Sequence, residues 1–177
     1  MQSSNRLFLL FTSTNLVVIG CVALLNSFLS PWGIFLYLPA LFLLPHYQLL
    51  DPYRSLVSIL ISGFALDHLF NHLFGFHAFI LGFIYLISKE YFHLGKQSSK
   101  EIVAFQLLAN FGIALIWFFQ CGFSQSIIGE WELIRFLPDL IVSSLVLIPV
   151  SAWQTSLGHS ILYHFEPSEG QTLSVSK

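Results

Sequence analysis

Residues 63–79 read Gly63-Phe-Ala-Leu-Asp67-His68-Leu-Phe-Asn71-His72-Leu-Phe-Gly75-Phe-His77-Ala-Phe79, gathering an acid, an amide and three histidines between two apolar arms. His68 and His72 stand four apart, so on a continuous helix they share a face and could ligate a metal with Asp67 or His77. The pattern lacks the glutamate of a zinc-protease helix, no cysteine lies near, and Gly75 is a helix breaker. Hydrogen bonding at a membrane interface is therefore the better reading, and no metal or other cofactor is expected. Asp67 is the most informative residue, because a carboxylate at membrane depth costs a few kcal/mol and so has a partner or a role. We expect it to pin a hinge, with His68, His72, His77 or a helix N-terminus as partner.

Other chemistry is weakly represented. Ser156 and His159 lie three apart without a nucleophile elbow around them, and Asp67 with Asp139 is the available carboxylate pair within the apolar spans. Neither amounts to a hydrolase signature, and the chain is expected not to be an enzyme. Cys21 and Cys121 sit in apolar runs without metal or redox spacing and read as packing residues. Gly63, Gly75, Gly82 and Gly112 are expected to allow close helix approach or bends.

The elements that must position these groups are membrane spans. Of 177 residues, 55% are hydrophobic and 9% charged, where a soluble domain carries about a quarter charged residues. Apolar runs at 7–26, 33–44, 55–66, 76–88, 102–119 and 136–150 leave no room for a separate soluble domain. The expectation is one transmembrane domain over residues 1–165 and a short polar tail, 166–177, without fixed structure. A net charge of −2 provides no basic face to neutralise phosphates, which excludes nucleic acid as a partner and leaves lipid and membrane proteins.

The fold class follows: an all-α polytopic bundle of six helices, some short or kinked. The first span carries a polar band, Thr12 to Asn15, suited to helix packing. The second, 33–44, holds Pro39 and ends at Pro45. At about 12 apolar residues it is short of a full crossing, so it either extends through His46 and Tyr47 or is a broken segment covered by protein. Ser98 and Ser99 ahead of Glu101 mark the start of the fifth helix, residues 122–135 form a loop, and Pro138 and Pro149 bend the sixth helix. With six crossings, Arg6, Arg54, Lys89, Lys96, Lys100 and Lys177 fall on one side and only Arg135 on the other. By the positive-inside rule both termini are cytoplasmic, and the Asp67 hinge faces outward.

Within this frame a family resemblance emerges. The run from Leu36-Tyr37-Leu38-Pro39 to Leu44, the turn Asp51-Pro52-Tyr53-Arg54, the Gly63-Phe-Ala-Leu-Asp67 run and the Phe74-Gly75-Phe-His77-Ala78-Phe79 run together resemble the MreD family of rod-shape-determining membrane proteins. His68, Asn71 and His72 depart from the small or apolar residues common between the Asp and the Gly in that family. The resemblance implies a non-catalytic inner-membrane component of the bacterial cell-elongation machinery, scaffolding peptidoglycan synthesis. It implies an MreC-type bitopic protein as partner, with Gly63, Asp67, His68, Asn71, His72, Gly75 and His77 as hinge or partner contacts. The same pattern is distantly similar to the six-helix substrate-binding components of vitamin transporters, the alternative reading. A transporter component encloses a polar-lined cavity beneath the hinge, whereas a scaffold fills its centre with Phe and Leu.

Overall fold

The computed structural model describes residues 2–43, 50–70, 73–93, 98–124 and 130–165, and these are helical or irregular, with no strand among them. Five α-helices form the bundle: α1 (Gln2–Leu29), α2 (Pro52–Leu69), α3 (Phe76–His93), α4 (Ser99–Ser124) and α5 (Glu130–Phe165). Of the two forms expected for the span at 33–44, a continuous helix or a broken segment, the described residues 33–43 take the broken one. That stretch follows a 3-10 turn at Ser30–Trp32, has no regular structure until Pro39, and closes with a second 3-10 turn at Pro39–Phe42. The physical reason lies in its sequence: Gly33 sits at a left-handed φ of 69°, and Pro39 has no amide to donate to a helix.

Directions follow from side-chain pairings. Thr12 Oγ1 meets Ser58 Oγ at 2.9 Å and Asn15 Nδ2 donates to Ser62 Oγ at 3.0 Å, so α1 and α2 run parallel. The chain between them must return along the bundle, and it does so through the irregular segment. Contacts of Phe35 with Asp139 and Tyr37 with Ser143 set the segment parallel to α5. Contacts of Tyr37 and Ala40 with Asn110, and then of Ala40 with Gln106, set it antiparallel to α4. A stretch expected as a helical span is thus irregular over its described residues, apart from the 3-10 turn at Pro39–Phe42.

Local sequence sets the helix boundaries. Ser98 and Glu101 form a reciprocal capping box, the Ser98 amide donating to Glu101 Oε2 at 2.8 Å and the Glu101 amide to Ser98 Oγ at 3.3 Å. The residues expected as a loop before Phe136 are already helical from Glu130, and α5 carries Pro138 and Pro149 inside it. The α2–α3 hairpin packs closely because Gly63 has no side chain: a Cβ there would clash with the Ala78 backbone. Gly82 abuts Leu60 and Leu56, while Gly112 faces open space and does not have the packing role expected of it.

The distribution of polarity is the reverse of a soluble protein's. Ser55, Ser58, Ser62, Gln106, Asn110, Ser143 and Ser151 are buried, while Val17, Leu24, Phe79, Leu108, Ile141 and Leu145 are exposed. Three helical stretches, Asn5–Trp32, Ser99–Gln120 and Ile134–Ser156, are long and apolar enough to cross a membrane. Together these features make the chain a membrane protein, since an apolar exterior is stable only where lipid replaces water.

Candidate functional site: a hinge clamp beside a buried irregular segment

Asp67 lies in the last turn of α2, where the helix dipole does not favour a carboxylate. Its charge is directed elsewhere. The Gly75 amide donates to Oδ2 at 2.8 Å, and the His77 amide and His77 Nδ1 both lie 2.8 Å from Oδ1. Gly75 and His77 open α3, so Asp67 caps the N-terminus of the next helix from across the turn. Gly75 is favoured at its position by its backbone, because a φ of 97° is a left-handed conformation that side chains disfavour.

His77 extends the clamp inward. Its Nδ1–H donates to the carboxylate, leaving Nε2 as acceptor for the Tyr37 hydroxyl at 2.7 Å. Asp67 and His77 are 1% and 0% exposed, and Tyr37 is likewise buried. Tyr37 in turn stacks on Trp117 of α4, with ring centroids 5.2 Å apart and an interplanar angle of 22°. The result is a chain of polar contacts from the end of α2, through the start of α3, to the irregular segment.

The segment itself is held by side chains from three helices. The amides of Phe35, Leu36 and Tyr37 donate to Asp139 Oδ1 (2.8 Å), Asn26 Oδ1 (2.7 Å) and Ser143 Oγ (2.8 Å). Asn26 also donates to the Leu36 carbonyl at 3.0 Å. Asn110 bridges the next turn, accepting from the Ala40 amide at 3.3 Å and donating to the Tyr37 carbonyl at 2.9 Å. Gln106 Nε2 donates to the Ala40 carbonyl at 3.4 Å. These groups supply what a helix would have supplied internally, which is why irregular backbone is tolerated there.

Of the residues singled out from sequence, Asp67, Gly75 and His77 converge, and Gly63 sets the closeness of the hairpin that carries them. His68 is exposed and does not join them, since it points away from the α2 face that bears Asp67. Asn71 and His72 lie outside the described residues, as does the side chain of His159. No group of three His, Cys, Asp or Glu side chains able to hold a metal occurs among the described residues. Asp67 and Asp139, the carboxylate pair noted in the sequence, each bind the backbone of a different segment.

Sequence reasoning missed Asn26, Gln106, Asn110 and Ser143 as a set. The signal was present as single amides and hydroxyls inside apolar runs, but it becomes a site only once a non-helical segment needs them. Polar residues of the α1 band divide by the same rule: Thr12 and Asn15 pair with α2, whereas Ser13 and Thr14 bond back to the Leu10 carbonyl. Comparison of the chain with family models, curated proteins and solved structures gives no match.

Proposed function

We propose that the protein is a non-catalytic, multi-pass inner-membrane component of the bacterial cell-elongation machinery, of the kind its resemblance to the MreD family implies. In this reading it scaffolds peptidoglycan synthesis through an MreC-type bitopic partner. The observation that carries the choice over a vitamin-binding transporter component is the occupied centre of the bundle. Leu36, Tyr37, Leu38, Leu41, Phe42 and Leu43 are buried there, contributed by the irregular segment. Beside it a small cleft encloses room for little more than a water-sized group, its ≈ 250 Å³ including space open to the surroundings. Sites for drug-sized ligands run to about 300–1,000 Å³ and enclose most of the ligand.

Orientation has its own support. Arg6, Arg54, Lys89 and Lys100 stand at the start of α1, the start of α2, the end of α3 and the start of α4, which the pairings above bring to one end of the bundle. Arg135 stands near the start of α5, at the other end. The reading has both termini in the cytoplasm and the Asp67 clamp near the outer face. Depletion of the protein in a rod-shaped host is expected to round the cells, and affinity capture from native membranes is expected to bring down an MreC-type protein. Normal rods after clean deletion, or recovery of a transporter ATPase instead, would reject it.

A further inference from the structure

Asp139 is only partly used by the contacts that hold the segment. Its Oδ1 accepts the Phe35 amide, while Oδ2 accepts no hydrogen bond among the described residues. The close ion pairs among those residues join Arg54 to Asp51 and His77 to Asp67, so Asp139 is in no close ion pair there. Arg135, one turn earlier on the same face of α5, is exposed and acts on Asp139 through its charge at longer range, leaving Oδ2 without a contacting donor among the described residues. A carboxylate one turn inside an apolar span, with an oxygen unpaired, carries a desolvation cost that a bound cation would offset.

The surroundings of Asp139 define the cation. The residue is half-buried and lines the ≈ 250 Å³ cleft together with Phe35, Tyr37, Trp117 and Phe136, so the cleft combines one carboxylate with four aromatic side chains. Aromatic rings stabilise a cation most where water is displaced. A divalent metal needs several oxygen ligands, and the lining offers a single carboxylate. A guanidinium binds best through both carboxylate oxygens, but the Phe35 amide occupies one of them. The enclosed part of the cleft has room for about a water-sized group, which suits –NH3+ better than a bulkier trimethylated nitrogen.

We propose that this cleft binds a primary ammonium group, held by Asp139 Oδ2 and the surrounding rings. The ammonium could belong to a soluble amine or to an ethanolamine lipid headgroup, since the recognising chemistry is the same. The proposal does not depend on the scaffolding role.

Titration calorimetry of the full-length protein in detergent with ethylammonium chloride should give saturable binding, and tetramethylammonium should bind more weakly. Asp139→Asn keeps an oxygen to accept the Phe35 amide but removes the charge, and should weaken ethylammonium binding about tenfold or more. Phe136→Leu, which leaves every hydrogen bond in place, should weaken it several-fold and decides the matter if the Asn variant does not fold. Nanodiscs identify the source: phosphatidylethanolamine discs that suppress ethylammonium binding relative to phosphatidylcholine discs point to the lipid, and equal binding in both points to a soluble amine. Absence of saturable binding, equal affinity for tetramethylammonium, or unchanged affinity in a folded variant would overturn the proposal.

Discussion

Two places among the described residues leave the helical conformation with polar groups buried in the protein, and they meet the same need by different means. At the α2–α3 hinge a single carboxylate takes two amides and an imidazole N–H, concentrating one charge on a helix N-terminus. Along the irregular segment the load is spread over Asn26, Asn110, Gln106, Ser143 and Asp139, mostly one bond or two per side chain. The hinge is short and has a helix dipole to answer, so a charge fits it. The segment has donors and acceptors in alternation, and an amide serves both where a carboxylate serves only the donors. Tyr37 joins the two systems, with its backbone in the segment and its hydroxyl on His77.

This contrast predicts an order of effects on stability, measurable by thermal unfolding in one detergent. Asp67→Ala should be the most damaging, at about 3–5 kcal/mol, because it strands three donors at once and removes the charge that α3 faces. Asp67→Asn, with one acceptor oxygen retained, should recover part of that loss. Asn110→Leu should follow at about 2–4 kcal/mol, since an amide and a carbonyl of irregular backbone both lose their partner. If it proved costlier than Asp67→Ala, the hinge charge would not be the dominant anchor.

Gly63→Ala comes next, at about 1–3 kcal/mol, through a clash with the Ala78 backbone that only separation of α2 and α3 relieves. A neutral result would show that the hairpin is loosely packed. Tyr37→Phe removes the bond between the two systems and should cost about 1 kcal/mol while leaving the segment's backbone contacts intact. A double-mutant cycle with Asp67→Asn should give a coupling energy; strict additivity would mean that hinge and segment act independently. Thr14→Ala, which loses only a bond back to its own helix, should lie within about 0.5 kcal/mol of wild type.

Much of the hinge was legible because its residues are close in sequence and unusual in their setting. Asp67, Gly75 and His77 fall within eleven positions, and an acid in an apolar run demands a partner. Which histidine answers it was not legible, since His68 and His77 differ only in the direction their helices give them. The irregular segment was half legible. Pro39, Pro45 and a short apolar core marked it as defective for a helix, but its clamp comes from residues 10 to 106 positions away.

Composition and the spacing of apolar runs determined that this chain lives in lipid, is built of helices, and places its basic residues mostly at one end. They did so because transfer of side chains and backbone into lipid depends on length and hydrophobicity, which are additive along the chain. That the segment after α1 is irregular, that helices pack around it, and that Asp67 faces the start of α3 rather than the end of its own helix were decided by tertiary structure. The physical reason is that a hydrogen bond depends on where two groups meet, and no local pattern records whether a distant amide will be there to satisfy an exposed backbone.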